Sequence, residues 1–304
     1  MLAIVIPYYK LTFFEATLQS LDNQTNQRFK VYIGDDASPE NPLTLLENYK
    51  DKFDFQYHRF ETNLGETSLV KQWERCIAMA GNEDWMMILG DDDVLENNCV
   101  GAFYENLNEI EALKINVIRF ATKVINSISE PISKVHSHPK LENSIDFLMR
   151  KFKGGTRSSL SEYIFRKQIV ETIKFKDLSL AWYSDLLAVL EFSKFGLIYT
   201  INKAVVHFRL SEINITGKKD DLLIKNIATF NFYHYLLKQN KAFFNFNEQQ
   251  EILIRLEKTF LDNKKNPYFW VQFTKLYVSN FYFRRYIKFV LIVIKSGLNK
   301  ILDK

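Results

Sequence analysis

Five apolar residues, Leu2 to Ile6, open the chain and are stopped by Pro7, the pattern of a strand buried on both faces. Thr12 and Glu15 have capping-box spacing, and Phe14, Leu18 and Leu21 follow at helical spacing, so a helix comes next. Phe29, Val31 and Ile33 alternate into a second strand that ends at Gly34-Asp35-Asp36. Asn41 and Pro42 suit the N-cap and first position of another helix, and Phe55 and Tyr57 predict a third strand before the turn Asn63-Leu64-Gly65. Leu69, Trp73, Ile77 and Ala80 give a further helix one apolar face, and Trp85 to Leu89 is a short strand running into Gly90-Asp91-Asp92-Asp93. Strands alternating with helices predict an α/β, mainly parallel sheet, in which ligands collect beyond the carboxyl ends of the strands. Both acidic clusters are expected on that edge.

Further along, Val117 to Phe120, Tyr163 to Phe165 and Ala204 to Phe208 read as strands, and Asp185 to Phe195 reads as a helix. After Gly217 the pattern is helical and rich in Phe, Tyr, Asn and Lys. The chain therefore divides into a sheet domain over 1–217 and a helical C-terminal region over 218–304.

With 304 residues, 47% of them hydrophobic, the chain can bury a full core. The net charge of +4 conceals an asymmetry, because Lys264 to Lys304 holds nine Lys or Arg against Asp303 alone, leaving 31 basic and 35 acidic residues before it. A basic tail implies a partner of its own. Two cysteines, Cys76 and Cys99, are too few for a disulfide scaffold and lack zinc-site spacing. The N-terminus has no basic flank or cleavage site, and the apolar run Phe289 to Ile294 is far short of the roughly 20 residues of a membrane span. A cytoplasmic location is expected, at or near the inner face of the cell membrane.

Three consecutive carboxylates repel one another, and beside an apolar strand they make sense chiefly if a cation offsets their charge. All-oxygen ligands suit Mg²⁺ or Mn²⁺, and Mg²⁺ is typically held by one or two carboxylates with substrate phosphates completing its shell. A nucleotide diphosphate would supply those phosphates. The alternative is an acidic turn that caps the following helix, whose dipole welcomes negative charge. Asp36, at the end of the second strand, could accept hydrogen bonds from a ribose or a base, or close an Asx turn.

The segments Ile4-Val5-Ile6-Pro7-Tyr8-Tyr9, Gly34-Asp35-Asp36-Ala37-Ser38, Asn63-Leu64-Gly65 and Leu89-Gly90-Asp91-Asp92-Asp93, in this order and spacing, resemble the family 2 glycosyltransferases. The resemblance covers about the first hundred residues and implies a GT-A fold, a nucleotide-sugar donor, a divalent metal and inversion at the anomeric carbon. Carried over by position, Pro7, Tyr9, Asn63 and Gly65 would line the donor site, Asp36 would bond the uracil of a UDP-sugar and Asp91 would face the ribose. Asp92 would hold the metal, with Asp93 as a further ligand. Gly90 departs from the family, which usually has an acid there.

The resemblance also implies a carboxylate base about a dozen residues before a glycine, and Asp185, followed by Gly196, has that spacing, with Ser184 replacing the usual glutamate. A carboxylate near a helix N-terminus is also favoured by the dipole alone. Val206-His207-Phe208-Arg209 resembles the strand leading to a loop over the diphosphate, here Leu210 to Lys219, where Arg209, Lys218 and Lys219 would neutralise departing charge. The expected activity is that of a hexosyl- or N-acetylhexosaminyltransferase acting on a glycan or lipid-linked oligosaccharide acceptor. The alternatives are a nucleotidyltransferase, against which the loop after Pro7 lacks glycine, and an inactive nucleotide-sugar-binding protein. Residues 267–304 mix aromatics with cations, which suits peripheral membrane association or a helix pair docked on the protein. Nucleic acid is not expected, since no recognised motif accompanies the basic stretch.

Overall fold

In the computed structural model, which describes residues 1–214, 217, 221–280 and 282–302, the last seven by backbone alone, strands and helices alternate from the start. Strand β1 (Leu2–Tyr8), helix α1 (Phe14–Asp22), β2 (Phe29–Asp35), α2 (Leu43–Glu47), β3 (Phe55–Arg59), α3 (Leu69–Ile77) and β4 (Trp85–Ile88) follow in turn. β1 lies between β2 and β4 and is parallel to both, so Tyr8 and Asp35 end side by side while Val5 pairs with Ile88. Both faces of β1 are covered, and Leu2 to Ile6 are at most 1% exposed.

Pro7 does not stop the first strand; it pairs with Gly34 and β1 continues to Tyr8. Val5 accepts the N–H of Leu89 on the β4 side, and Pro7, two residues on, faces the same side, where β4 has ended. The missing proline N–H therefore breaks no ladder bond. Thr12 likewise does not cap α1: Phe13 is the N-cap, and no side chain bonds the first turn. Asn41 accepts the N–H of Leu43 at 3.0 Å, but α2 begins one residue later than expected, with Pro42 as its N-cap. The core face of α3 is Val70, Cys76 and Ile77, with Ser68 as the cap, while Trp73 is half-buried with its edge on Phe175.

Beyond the acidic turn come β5 (Val94–Leu95), α4 (Cys99–Ala112), β6 (Val117–Ile125), β7 (Leu141–Asn143), α5 (Ser144–Phe152), β8 (Tyr163–Arg166), α6 (Lys167–Ile173), α7 (Ser184–Phe192) and β9 (Leu197–Arg209). The sheet order is β3-β2-β1-β4-β8-β6-β9-β5, with β7 on β9. β8 is antiparallel to both of its neighbours, and β6 and β9 return to the direction of β1. This is a mixed, mainly parallel GT-A-like sheet flanked by helices. Because α7 leads by a short turn into β9, its first residue stands on the edge where β1, β2 and β4 end. Both cysteines are buried and free.

Two compact units divide the chain at Lys219 and Asp220. The second contains α8 (Leu222–Gln239), α9 (Phe246–Asp262), α10 (Pro267–Ser279) and α11 (Phe283–Leu302). Asn245 and Glu248 form a capping box on α9, and Asn266 with Pro267 starts α10. Its core is aromatic, with Phe260 against Phe273, Phe289 and Trp270. Among the described residues no helix is long and apolar enough to cross a membrane.

Candidate active site

The acidic turn begins where β4 leaves the sheet. A Cβ on Gly90 would lie 2.9 Å from an Asp92 carboxylate oxygen and 3.2 Å from one of Asp93, so no larger residue fits without moving an aspartate. Glycine at this position thus has a local cause. Asp91 accepts the main-chain N–H groups of Tyr9 and Lys10, each at 2.8 Å, and ties the loop after β1 to the turn. Asp93 is 3% exposed, with one oxygen on the Ser161 hydroxyl and the other on the N–H of Arg209. Asp92 is half-buried beside Asn214, whose side-chain amide donates to the Arg209 carbonyl at 2.6 Å and, against the rise from burial, holds the Asp92 carboxyl down. The carboxylate expected as a second metal ligand, Asp93, is therefore turned inward and committed to the protein.

Burial raises the carboxyls of Asp91, Asp92 and Asp93 above the usual range, and repulsion from an adjacent aspartate adds to the rise for Asp91 and Asp92. Lys10 and Arg209 offset only part of that charge. The acidic excess and hard oxygen donors fit a divalent cation. Among the described residues no three ligating side chains converge into a cage.

At the end of β2, Asp35 is fully buried and accepts from Ser38 N–H, Tyr57 hydroxyl and Arg59 guanidinium. Asp36 is 4% exposed and accepts the N–H groups of Leu64 and Gly65, with Arg75 on the same oxygen as Leu64. A Cβ on Gly65 would sit 2.5 Å from Asp36, so glycine is required for this approach. The Asn63-Leu64-Gly65 turn is in this way fastened to the sheet edge. Asn63 reaches the hydroxyl of Tyr9 at 3.2 Å, and Tyr9 keeps an exposed ring beside it. Pro7, Tyr9, Asp36, Asn63, Gly65 and Asp91 are thus gathered along the ends of β1, β2 and β4.

Asp185 lies in the first turn of α7, and the loop before it holds Leu180, Ala181 and Tyr183 at φ of 58°, 51° and 70°. Left-handed backbone at three non-glycine residues is costly and persists only where the surroundings enforce it. Burial raises the Asp185 carboxyl, while the Lys151 charge and main-chain N–H groups at the helix start oppose the rise. Two residues without any sequence signal flank the acidic turn, and one of them, Arg157, also faces Asp185. Ser161 accepts from Gly90 N–H and donates to Asp93. Arg157, its plane 4.3 Å over Phe208, presents its charge to Glu162, Asp93 and Asp185.

Arg209 is placed differently from the expected phosphate-facing role. It is 1% exposed, covers Phe13, and donates to the main-chain oxygens of Asp92 and Asn126 and to Ser129. It braces the turn from beneath. Lys218 and Lys219 lie outside the described residues. His207 sits 3.4 Å from Glu96 and pairs with Val94 across the sheet.

Residues 3–165 match the family model Glycosyl transferase family 2, and the chain belongs to that family. Solved structures of S. aureus TarS 1-349 share the fold: the complex with UDP-GlcNAc has a TM-score of 0.58 at 14% identity, covering 85% of this chain and 80% of that one. The complex with UDP gives 0.55 at 13% identity, covering 86% and 80%. A 60-residue stretch is 42% identical to chondroitin synthase of Pasteurella multocida (strain Pm70), and it spans 19% of this chain but only 6% of that protein.

Proposed function

We propose that this chain is an inverting glycosyltransferase that moves a sugar from a UDP-sugar to a hydroxyl of a glycan or lipid-linked acceptor, with Asp185 as general base. The observation that carries this reading is the position of Asp185: a half-buried carboxylate at the start of α7, held by a strained loop and sharing the Arg157 charge with Asp93. The nucleotides in the TarS complexes, UDP-GlcNAc and UDP, support a UDP-sugar donor.

In this reading Tyr9 and Asn63 flank the base, and Asp36 acts by fixing the Asn63-Leu64-Gly65 turn. Asp91 holds the loop after β1 against the ribose side, and Asp93 holds the acidic turn in shape. A divalent Mn²⁺ or Mg²⁺, held through Asp92, would supply positive charge to the diphosphate. Asp185 accepts the acceptor hydroxyl proton as that oxygen bonds to the anomeric carbon from the face opposite the diphosphate. The carbon–oxygen bond to the diphosphate breaks, UDP leaves with the electron pair, and the configuration inverts. Burial favours this role because a raised carboxyl is a stronger base than a solvated one.

The test is UDP release from a panel of UDP-sugars with Mn²⁺, run beside a thermal-shift series with the same ligands, since a ligand of the native state raises its stability. One UDP-sugar should both stabilise the protein and be turned over. Stabilisation without turnover by any sugar, even with glycan acceptors present, would favour the inactive binding protein.

A further inference from the structure

Residues 267–302 contain six Lys or Arg and no Asp or Glu. Expected as a whole to meet either a membrane or the protein, this stretch divides its tasks in the structure. α10 buries Phe269, Phe273, Leu276 and Tyr277 within the helical unit. α11 buries Phe289 and Val293, with Phe289 4.6 Å from Phe273 and 5.2 Å from Phe260, and Arg285 is committed to Glu257 at 2.7 Å.

The opposite face of α11 is apolar and uncovered. Ile287, Leu291 and Ile294 recur at i, i+4 and i+7 and are 61%, 53% and 53% exposed. Exposed Arg284, Lys288 and Lys295 form a second row, about 60 to 100° round the axis from Ile287 at 100° per residue. An apolar stripe edged by a row of cations is the arrangement of a helix lying in a membrane interface, where long cationic side chains reach up to headgroups while the stripe enters the acyl boundary.

We propose that the outer face of α11 docks on an anionic lipid bilayer, with Ile287, Leu291 and Ile294 inserted and Arg284, Lys288 and Lys295 paired with headgroup phosphates. Charge chooses this occupant over a second copy of the chain. Two such faces brought together would juxtapose their cation rows, and neither α10 nor α11 carries an acid to pair with them. None of these residues belongs to the set named for the donor or the base.

The experiment is cosedimentation of the full chain with vesicles of phosphatidylcholine, with and without phosphatidylglycerol. The wild type should bind the anionic vesicles at least ~10-fold better than the neutral ones, and less as salt shortens the Debye length. Ile287→Ser with Leu291→Ser, and separately Lys288→Glu with Lys295→Glu, should each weaken that binding ~10-fold or more at an unchanged melting temperature. The charge pair is solvent-exposed, so its effect is not a folding effect. Equal binding to both vesicle types, undiminished binding by both variants, or a wild-type dimer that the serine variant dissociates would overturn the proposal.

Discussion

The main-chain N–H of Arg209 donates to a carboxylate oxygen of Asp93 at 2.8 Å, across 116 residues of sequence. Ser161, just before β8, donates to the other oxygen. The turn after β4 is therefore fixed by two later strands, and it takes its shape only when the sheet is complete. Asp92, between these anchored neighbours, is presented by them.

This division of labour separates two adjacent aspartates by experiment. Asp93→Ala leaves a buried hydroxyl and N–H without their acceptor and should cost about 1–3 kcal/mol. Asp92→Ala removes a charge repelled by its neighbours and should change stability by no more than about 0.5 kcal/mol. Urea denaturation of the two variants without metal measures both. Equal losses would mean that Asp92 also holds the turn together.

Gly90→Asp should damage this site. Its Cβ would meet Asp92 at 2.9 Å and Asp93 at 3.2 Å, and it adds a fourth negative charge. A loss of about 1–3 kcal/mol in stability is expected from the overpacking. Metal-dependent UDP affinity should fall ~10-fold or more, since Asp92 must move. Calorimetric titration that returned wild-type affinity would show that the turn has room.

Asp185 predicts a pH dependence. A base must be ionised, so activity falls as pH drops through its carboxyl pKa. Burial raises that pKa above the ordinary 3.8, and the acid limb of kcat/KM should lie correspondingly higher. Lys151→Met removes a charge that opposes the rise and should move the limb further up. Asp185→Asn should lower turnover by ~10² to 10⁴ with donor affinity retained. Loss of donor binding would assign Asp185 to structure.

A second titration concerns stability alone. His138 is 5% exposed, accepts from Arg150 at 2.8 Å, and is lowered by burial, then by Arg119 and Arg150, to about 2. Its folded form is neutral while the unfolded form takes up a proton near 6.5. The stability is therefore complete above that pH and is lost as pH falls, by up to about 1.4 kcal/mol per unit. Urea unfolding at pH 7 and pH 5 should show a steeper decline for wild type than for His138→Gln. Parallel declines would mean that His138 is charged in the folded state.

Sequence reveals those parts of the site where the chemistry is local. Apolar runs that end in acids expose β1, β2 and β4 because a strand buried on both faces has few alternatives, and the turn residues Asn63 and Gly65 carry their own signature. Asp185 has no local signature of this kind, and only the family resemblance, through the spacing to Gly196, singles it out. Ser161 and Arg157 are not readable, because their positions beside Asp93 arise when β8 inserts antiparallel between β4 and β6. Arg209 misleads for a related reason: an arginine at a strand end suggests an exposed cation, and only the packed sheet reveals Phe13, Asn126 and Ser129 around it. Pro7 suggests a strand end, and only the early departure of β4 explains why the ladder tolerates it.

The most direct test of the central claim is calorimetric titration of UDP into wild type and Asp92→Ala, each with and without Mn²⁺. Mn²⁺ should strengthen UDP binding ~10-fold or more in the wild type and have no effect in Asp92→Ala, at an unchanged melting temperature. Equal UDP affinity in the two proteins with Mn²⁺ present would contradict it.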